Sequence, residues 1–368
     1  MKVGIEVSAM NVNQAGTGIY VGQLLSALHK LEQPGAFSIQ TFSSFLKRFM
    51  GNRKTFRTRL GTLYHDLAWN QLLLPINVAR SDVDVFHLPA NIGPVFCSRP
   101  TVASILDMSL FRYPDYFTPW HRRTSSVLIP ITAKNAQVII TISEFSKSEL
   151  VDVLGISPNK IEVTYLGASD IFGPTDPTIV EQTRRKFGLD QFMVVVCTLE
   201  PRKNIKRLVQ AYSLLKARGI THTLVHIGAK GWYYDNVLTE IERLKITDSV
   251  QFLGYVSFED LNALYSAASV AVYPSLYEGF GLPVLEAMQC GCPVVTSNAA
   301  SLPEVVGTKG IMVDPYDVDA LADAIYTVLT NPEQASTMRQ NGFERAQLFS
   351  WEACAQKTIQ AYKKALKD

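Results

Sequence analysis

The chain has 368 residues and a mass of 40.9 kDa, more than one ordinary core holds and close to two domains of roughly 100–200 residues each. Hydrophobic residues make up 47% and charged residues 18%, which excludes disorder, and a net charge of +2 excludes a global electrostatic footprint for nucleic acid. The 5 Cys, odd in number and scattered, exclude a disulfide scaffold and point to a reducing compartment.

MKVGIEVSAMN enters an apolar strand at once, with no basic start and long apolar stretch, so no signal peptide is expected. No run reaches the roughly 18 apolar residues that span a bilayer. The expectation is a soluble, cytoplasmic protein. Short apolar, β-branched runs then alternate with helical patterns, the signature of βα units and parallel sheets. Strands are predicted at 3–7, 83–87, 101–106, 137–142 and 161–165 in the first half. In the second half they fall at 192–198, 223–228, 250–253, 270–273 and 294–297, with an edge at 310–313. Helices are predicted at 18–31, 144–154, 206–217, 259–267 and 284–289. GASDIFGPTDP, from Gly167 to Pro177, reads as a linker. The fold class is therefore α/β, with two Rossmann-like, doubly wound parallel-sheet domains at 1–168 and 169–350. An amphipathic C-terminal helix over 351–368 is a candidate to pack back on the first domain.

The segment SLYEGFGLPVLEAM, from Ser275 to Met288, directly follows a strand, and Pro283 is placed to open a helix. Gly279 and Gly281 let the backbone approach a ligand, and the helix start offers unpaired N–H groups and a positive dipole end. Glu278 and Glu286 would repel a phosphate. They suit sugar hydroxyls, which donate to an ionised acceptor. A diphosphate flanked by two sugars meets both requirements, and a nucleotide sugar is one. A Gly-rich βα turn with two solvated glutamates is the plain alternative.

EGFGLPVLEAM followed by GCPVVTSNAASLPEVVG resembles the donor-site signature of retaining glycosyltransferases with the GT-B fold, specifically glycosyltransferase family 4. The likeness covers nearly all of the second half and, more loosely, the first. It implies that Glu278 contacts the donor sugar, that the N–H groups of Phe280, Gly281 and Leu282 face sugar and phosphate, and that Glu286 holds the ribose. Arg202 and Lys203, in TLEPRKN, would stabilise the diphosphate; without the resemblance they read as a solvated pair at a helix start. The family commonly places an Arg two residues after the strand, where this chain has Thr198. The turn Gly254-Tyr255-Val256 would lie against the nucleobase, largely through backbone groups; alone it is a strand-terminating turn. In the first half, Gly16 and Gly18 open the first helix without a true G-x-G-x-x-G, and would approach the donor from across a cleft. Asp107 follows Leu106, where relatives often carry His, and is a candidate for a hydroxyl contact or a helix cap. Ser143 is read as a cap.

The resemblance implies a hexosyltransferase that retains configuration by front-face attack. Departing diphosphate charge would be stabilised by Arg202, Lys203, the helix N-terminus and glycine-loop amides. No metal or other cofactor is expected. Asp82-Val-Asp84 and Asp317-Val-Asp319 spell D-x-D but read as caps and solvated groups, and Cys290 and Cys292 as small packing residues. The donor is expected to be UDP-glucose first and GDP-mannose second, and the acceptor a glycan or lipid-diphosphate-linked glycan of a bacterial surface-polysaccharide pathway. A nucleotide-sugar epimerase or hydrolase and a non-enzymatic sensor are the alternatives.

Two basic, aromatic segments suggest a peripheral membrane surface or an anionic acceptor. Residues 45–59 carry Lys47, Arg48, Arg53, Lys54, Arg57 and Arg59 among Phe45, Leu46, Phe49, Met50 and Phe56. Residues 111–123 carry Arg112, Arg122 and Arg123 among Phe111, Tyr113, Tyr116, Phe117 and Trp120. A solvated loop is the plain alternative for both.

Overall fold

The computed structural model describes residues 1–12, 16–44, 64–231 and 234–367. The chain divides into one compact unit of Met1–Leu166 with Trp351–Asp368, and a second of Gly167–Ser350.

The first unit is built on a six-stranded sheet in the order β2-β1-β3-β4-β5-β6. Its strands are β1 (Lys2–Glu6), β2 (Ser38–Phe42), β3 (Val85–Leu88), β4 (Thr101–Ser104), β5 (Val138–Thr141) and β6 (Ile161–Val163), all parallel. β3, β4 and β5 are buried at every position, as strands covered by helices on both faces must be. β2 has no counterpart among the predicted strands. It is a sheet edge with one exposed end and only Phe42 buried, so SIQTF never forms the apolar run by which the others are read.

The tail helix Trp351–Ala365 belongs to this unit and packs on the helix Thr17–His29 and on β4 and β5. Its buried residues, Trp351, Cys354, Ala355, Thr358, Ala361, Tyr362 and Ala365, recur at the three- and four-residue spacing of one helix face. Tyr362 anchors it through polar atoms. Its hydroxyl lies 2.7 Å from His87 Nδ1, His87 Nε2 lies 2.8 Å from Ser104 Oγ, and that hydroxyl meets Tyr20 Oη at 2.8 Å. All four are buried, and burial pushes the His87 imidazole down to about 3, so the chain of hydrogen bonds runs through a neutral ring.

The second unit has β7 (Phe192–Val196), β8 (Thr223–Ile227), β9 (Val250–Gly254), β10 (Val270–Tyr273), β11 (Val294–Ser297) and β12 (Ile311–Val313), again all parallel. Their order, β12-β11-β10-β7-β8-β9, is the Rossmann order read from its far edge. The helix Ile205–Ala217 shows how sequence dictates the layer. Ile205, Leu208, Val209, Ala211, Tyr212 and Leu215 share one face and are buried. Full burial of each large aliphatic contributes about 1.5–3 kcal/mol.

The predicted linker begins where the second unit begins, at Gly167, and is docked on that unit. Phe172 is buried, Gly173 N donates to Asn262 Oδ1 at 2.9 Å, and Thr175 N donates to Ser266 Oγ at 3.2 Å. Its Gly, Pro and Asp residues bend the backbone without freeing it.

Candidate functional site

In the second unit the sheet order reverses between β7 and β10, and the crevice outside the carboxyl ends at such a reversal is where open α/β sheets bind ligands. The two loops that leave these ends carry the charged candidates Arg202, Lys203 and Glu278. After β7 come Thr198, Glu200, Pro201, Arg202 and Lys203, and after β10 comes the loop with Glu278, Gly279 and Gly281.

The first loop is locked from below. Glu200 is extended, as a residue before proline must be, and Pro201–Lys203 form one 3-10 turn. Asn204 then takes a left-handed conformation, φ 59°, and is buried. Its amide donates to the carbonyls of Pro274 (3.0 Å) and Pro315 (2.7 Å), and Leu276 N donates to the Arg202 carbonyl at 2.7 Å.

The second loop is locked from the side. Ser301 Oγ lies 2.9 Å from the carbonyls of both Glu278 and Phe280, and Ser297 Oγ donates to the Ser275 carbonyl at 2.5 Å. Gly281 caps the helix Leu282–Gln289 with φ 105°, where a Cβ would stand 2.7 Å from Leu302 Cδ2. Only glycine takes that conformation without strain. Pro283 lies in the first helical turn, as expected.

The two loops meet through charge. Lys203 Nζ lies 2.5 Å from Glu278 Oε1, and Arg202 Nη1 lies 3.0 Å from Glu278 Oε2. Arg202 also donates Nε to Glu200 Oε2 at 2.8 Å and Nη1 to the Tyr277 carbonyl at 3.3 Å. Burial opposes ionisation of Glu278, but the charges of Lys203 and then Arg202 outweigh it and hold the carboxyl down at about 2.

Glu286 is the opposite case. It lies in the helix Leu282–Gln289 and is 8% exposed, and among the described residues its carboxylate has no hydrogen-bond partner. Burial alone pushes it up to about 7. Tyr265 and Tyr273, whose hydroxyls are 2.9 Å apart, and the Cys290 thiol feel its charge. Among the described residues, an ionisable acceptor is thus buried unpaired, an arrangement that can accept from hydroxyl donors.

Gly254 ends β9 in a left-handed conformation, φ 71°, Tyr255 is 70% exposed and Val256 is half-buried. The Phe280 side chain is buried with its ring edge-on to Phe349, so any ligand contact there belongs to its backbone.

In the first unit, Gly16 stands at the N-cap of Thr17–His29 with φ 48°, and Gly18 is buried within that helix. Asp107 is half-buried, and its Oδ1 accepts from Ser109 N (2.9 Å) and Ser109 Oγ (2.6 Å), a local turn one residue ahead of Met108, which is the N-cap of Ser109–Arg112. Ser143 caps Glu144–Leu154 as expected.

Asp317 caps Val318–Thr330, while Asp82 and Asp84 are engaged by the side chain and the backbone N–H of Lys2. Among the described residues no group of three or more His, Cys, Asp and Glu is placed to hold a metal ion. Cys290 and Cys292 are buried, with Cys290 Sγ 3.0 Å from Asn262 Oδ1.

Sequence reasoning missed Glu200, Asn204, Ser297 and Ser301 as parts of the site. A Ser or Asn that bonds a distant carbonyl carries no local signal. Glu200 did carry one, a carboxylate two residues from the cation it holds.

Two Rossmann-like sheets, the second with a charged loop pair at its switch point, define an α/β protein of two parallel-sheet units. Residues 180–345 match the model of the family described as glycosyl transferases group 1. The chain is 39% identical over 282 residues to O-antigen chain mannosyltransferase B of Escherichia coli, covering 76% of this chain and 74% of the relative. It is 33% identical over 239 residues to the MMP alpha-(1->4)-mannosyltransferase of Mycolicibacterium hassiacum, spanning 64% of this chain and 56% of that one. The chain belongs to the group 1 glycosyl transferases, and is a glycosyltransferase. Its fold matches sucrose-phosphate synthase of Thermosynechococcus elongatus, with TM-score 0.74, 22% identity and coverage of 99% and 98%. HepE of Anabaena, in complex with UDP-glucose, matches with TM-score 0.74, 21% identity and coverage of 98% for both chains. At these identities the likeness speaks for the GT-B fold.

Proposed function

We propose that this chain is a retaining hexosyltransferase that moves mannose from GDP-mannose onto a glycan or lipid-linked glycan in surface-polysaccharide synthesis. The observation that carries the reading is the pairing at the switch point: Arg202 and Lys203 from one loop close on Glu278 from the other, and Glu286 stays buried without a hydrogen-bond partner among the described residues. The names of the Escherichia coli and Mycolicibacterium relatives favour mannose, reversing the order of donors expected from sequence.

In this reading the difficult part of the reaction is the charge that gathers on the departing nucleoside diphosphate. Arg202, Lys203 and the N–H groups that open Leu282–Gln289 stabilise it electrostatically, already oriented before reaction begins. Glu278, held ionised, orients the donor sugar and favours positive charge at its anomeric carbon. Glu286 accepts from the ribose hydroxyls.

A thermal-shift screen against nucleotides and nucleotide sugars tests the donor. A ligand at 100 times its dissociation constant stabilises by about 2.7 kcal/mol. The expected result is a rise with GDP-mannose that Glu286→Ala abolishes, and donor consumption that requires an added acceptor. A rise with UDP-glucose alone would reassign the donor. Consumption without acceptor would favour a hydrolase.

Membrane association is the remaining part of the proposal. Segment 45–59 lies outside the described residues. In segment 111–123, Arg112 pairs with Glu149 and Asp152, Arg122 pairs with Asp115, and Tyr113 stacks on Tyr116. Trp120 is 48% exposed and Arg123 is exposed, and these two support the reading there. Among the described residues no helix is long and apolar enough to cross a membrane. Pelleting with anionic vesicles at physiological salt, lost on charge reversal of residues 47–59, is the expected outcome; equal pelleting by wild type and variant would remove the membrane from the reading.

A further inference from the structure

We propose that Glu200 is a positioning residue of the donor site: it fixes the plane of the Arg202 guanidinium that meets the donor diphosphate. The inference rests on the donor-site reading above and adds to it a residue whose own charge opposes donor binding.

The position of Arg202 creates the need for such a residue. The strand end at Thr198 is neutral, so in the loop from Thr198 to Asn204 the cations are Arg202 and Lys203, both on the short turn beyond Pro201. The backbone of that turn is held by Asn204 and by the bond from Leu276 N to the Arg202 carbonyl. The long Arg202 side chain is not fixed by its backbone. Its guanidinium is planar, and two N–H groups on different nitrogens must be held to set that plane. Arg202 Nη1 is held by Glu278 Oε2 at 3.0 Å and the Tyr277 carbonyl at 3.3 Å. Both lie on the β10 loop, which also meets the sugar in the donor-site reading. Glu200 Oε2 holds Nε at 2.8 Å from the guanidinium's own loop. The Glu200 and Arg202 side chains are 19% and 22% exposed, more enclosed than the surface ion pairs that contribute little.

Glu200 also has an electrostatic cost. With Glu278 it balances the charges of Arg202 and Lys203, so a diphosphate approaches a cluster of no net charge. A carboxylate beside an anion site weakens ground-state capture, and that cost is recovered only through orientation in the transition state. Charge and hydrogen bond therefore act in opposite directions, and variants separate them.

The experiment is steady-state kinetics of donor consumption with acceptor, on wild type, Glu200→Gln, Glu200→Ala, Glu200→Asp and Arg202→Ala. Gln keeps an oxygen for Nε and removes the charge, so its kcat stays within about twofold of wild type and its donor KM falls. Ala removes both, and kcat falls about tenfold while donor KM does not rise. Asp keeps the charge but is one methylene short of Nε, so kcat falls as for Ala without the gain in KM. In an Arg202→Ala background, Glu200→Ala lowers kcat no further. The proposal is overturned if kcat of Glu200→Ala or of a folded Glu200→Asp stays within twofold of wild type. It is overturned equally if Gln falls as far as Ala, or if the Glu200 and Arg202 losses multiply. If Arg202→Ala binds and turns over the donor like wild type, it is the donor-site reading that fails.

Discussion

Two carboxylates eight residues apart, Glu278 in the β10 loop and Glu286 in the helix that follows, are driven in opposite directions by the same crevice. Both are removed from water, and for each that removal opposes the charged form. Glu278 has Lys203 and Arg202 on its two oxygens, so it stays ionised well below neutrality, down to about pH 2. Glu286 has no such partner among the described residues, so near neutrality its charge is in balance. One carboxylate belongs to a preassembled charge cluster. The other is buried without a hydrogen-bond donor among the described residues, and in the proposed reading a ligand brings its donors. The family motif writes both as Glu, and only their surroundings separate them.

The sharpest way to break the comparison is to remove the charge of Glu278. Glu278→Gln leaves Arg202 and Lys203 with Glu200 as the carboxylate of the cluster, so the two cations lose the charge that orients their side chains while the loop backbones stay held. The expected loss in kcat is about 10²–10³, the range for one preorganised electrostatic group. Stability follows with a defined sign. The Glu278 pKa is lowered on folding, so its contribution is present above the unfolded value of 4.5 and is lost as pH falls toward about 2. That contribution is about 3 kcal/mol. Acid unfolding of Glu278→Gln, followed by circular dichroism, lacks this component of the wild-type acid limb.

Glu286 gives the opposite pH signature, somewhat smaller in its functional effect. Its pKa is raised on folding from 4.5 to about 7, so the fold is penalised as pH rises through that window, by about 3 kcal/mol once both states are ionised. Glu286→Gln, with no charge to bury, is more stable than wild type at pH 8 and equal to it at pH 4. In the wild type, donor affinity rises as pH passes 7, because the ribose hydroxyls require the ionised acceptor. In Glu286→Gln the affinity is lower and flat with pH. Calorimetric titration of the nucleotide between pH 6 and pH 8 measures it, and a flat wild-type profile would mean that Glu286 does not meet the ribose.

How much of this was legible in the sequence depends on whether a feature is written locally. Parallel strands such as Val270–Tyr273 and Val294–Ser297 are short β-branched runs, and their predicted bounds coincide with the observed ones. The edge strand Ser38–Phe42 was invisible because exposure leaves its residues free to be polar. The tail helix could be read from its periodicity, but its place on β4 and β5 could not, since Tyr362 and His87 are 275 positions apart. In the site, Glu278, Glu286, Arg202 and Lys203 stood out through the resemblance of EGFGLPVLEAM to a family's donor-site signature; taken alone, they read as solvated charges beside glycines and a helix start. Their mutual pairing did not stand out, because it depends on the neighbouring positions of β7 and β10 in the sheet.

The frame that holds Glu278 gives smaller effects. Gly281→Ala places a Cβ 2.7 Å from Leu302 Cδ2 at φ 105°, and strain of this kind costs roughly 1–3 kcal/mol. Because Gly281 lies between the two glutamates, this variant disturbs both and lowers the thermal midpoint by several degrees. Ser301→Ala acts on one side only. Its hydroxyl serves the carbonyls of Glu278 and Phe280 and is fully buried, so its removal leaves buried acceptors short of a donor, at a cost of about 1–3 kcal/mol. The Glu278 backbone then loosens while Glu286, held by the helix, keeps its place. The expected result is a kcat several-fold lower with the pH dependence of donor binding unchanged. Steady-state kinetics and calorimetry on the same variant separate the two quantities. A shifted pH profile in Ser301→Ala would show that the two carboxylates are coupled through the loop and do not answer independently.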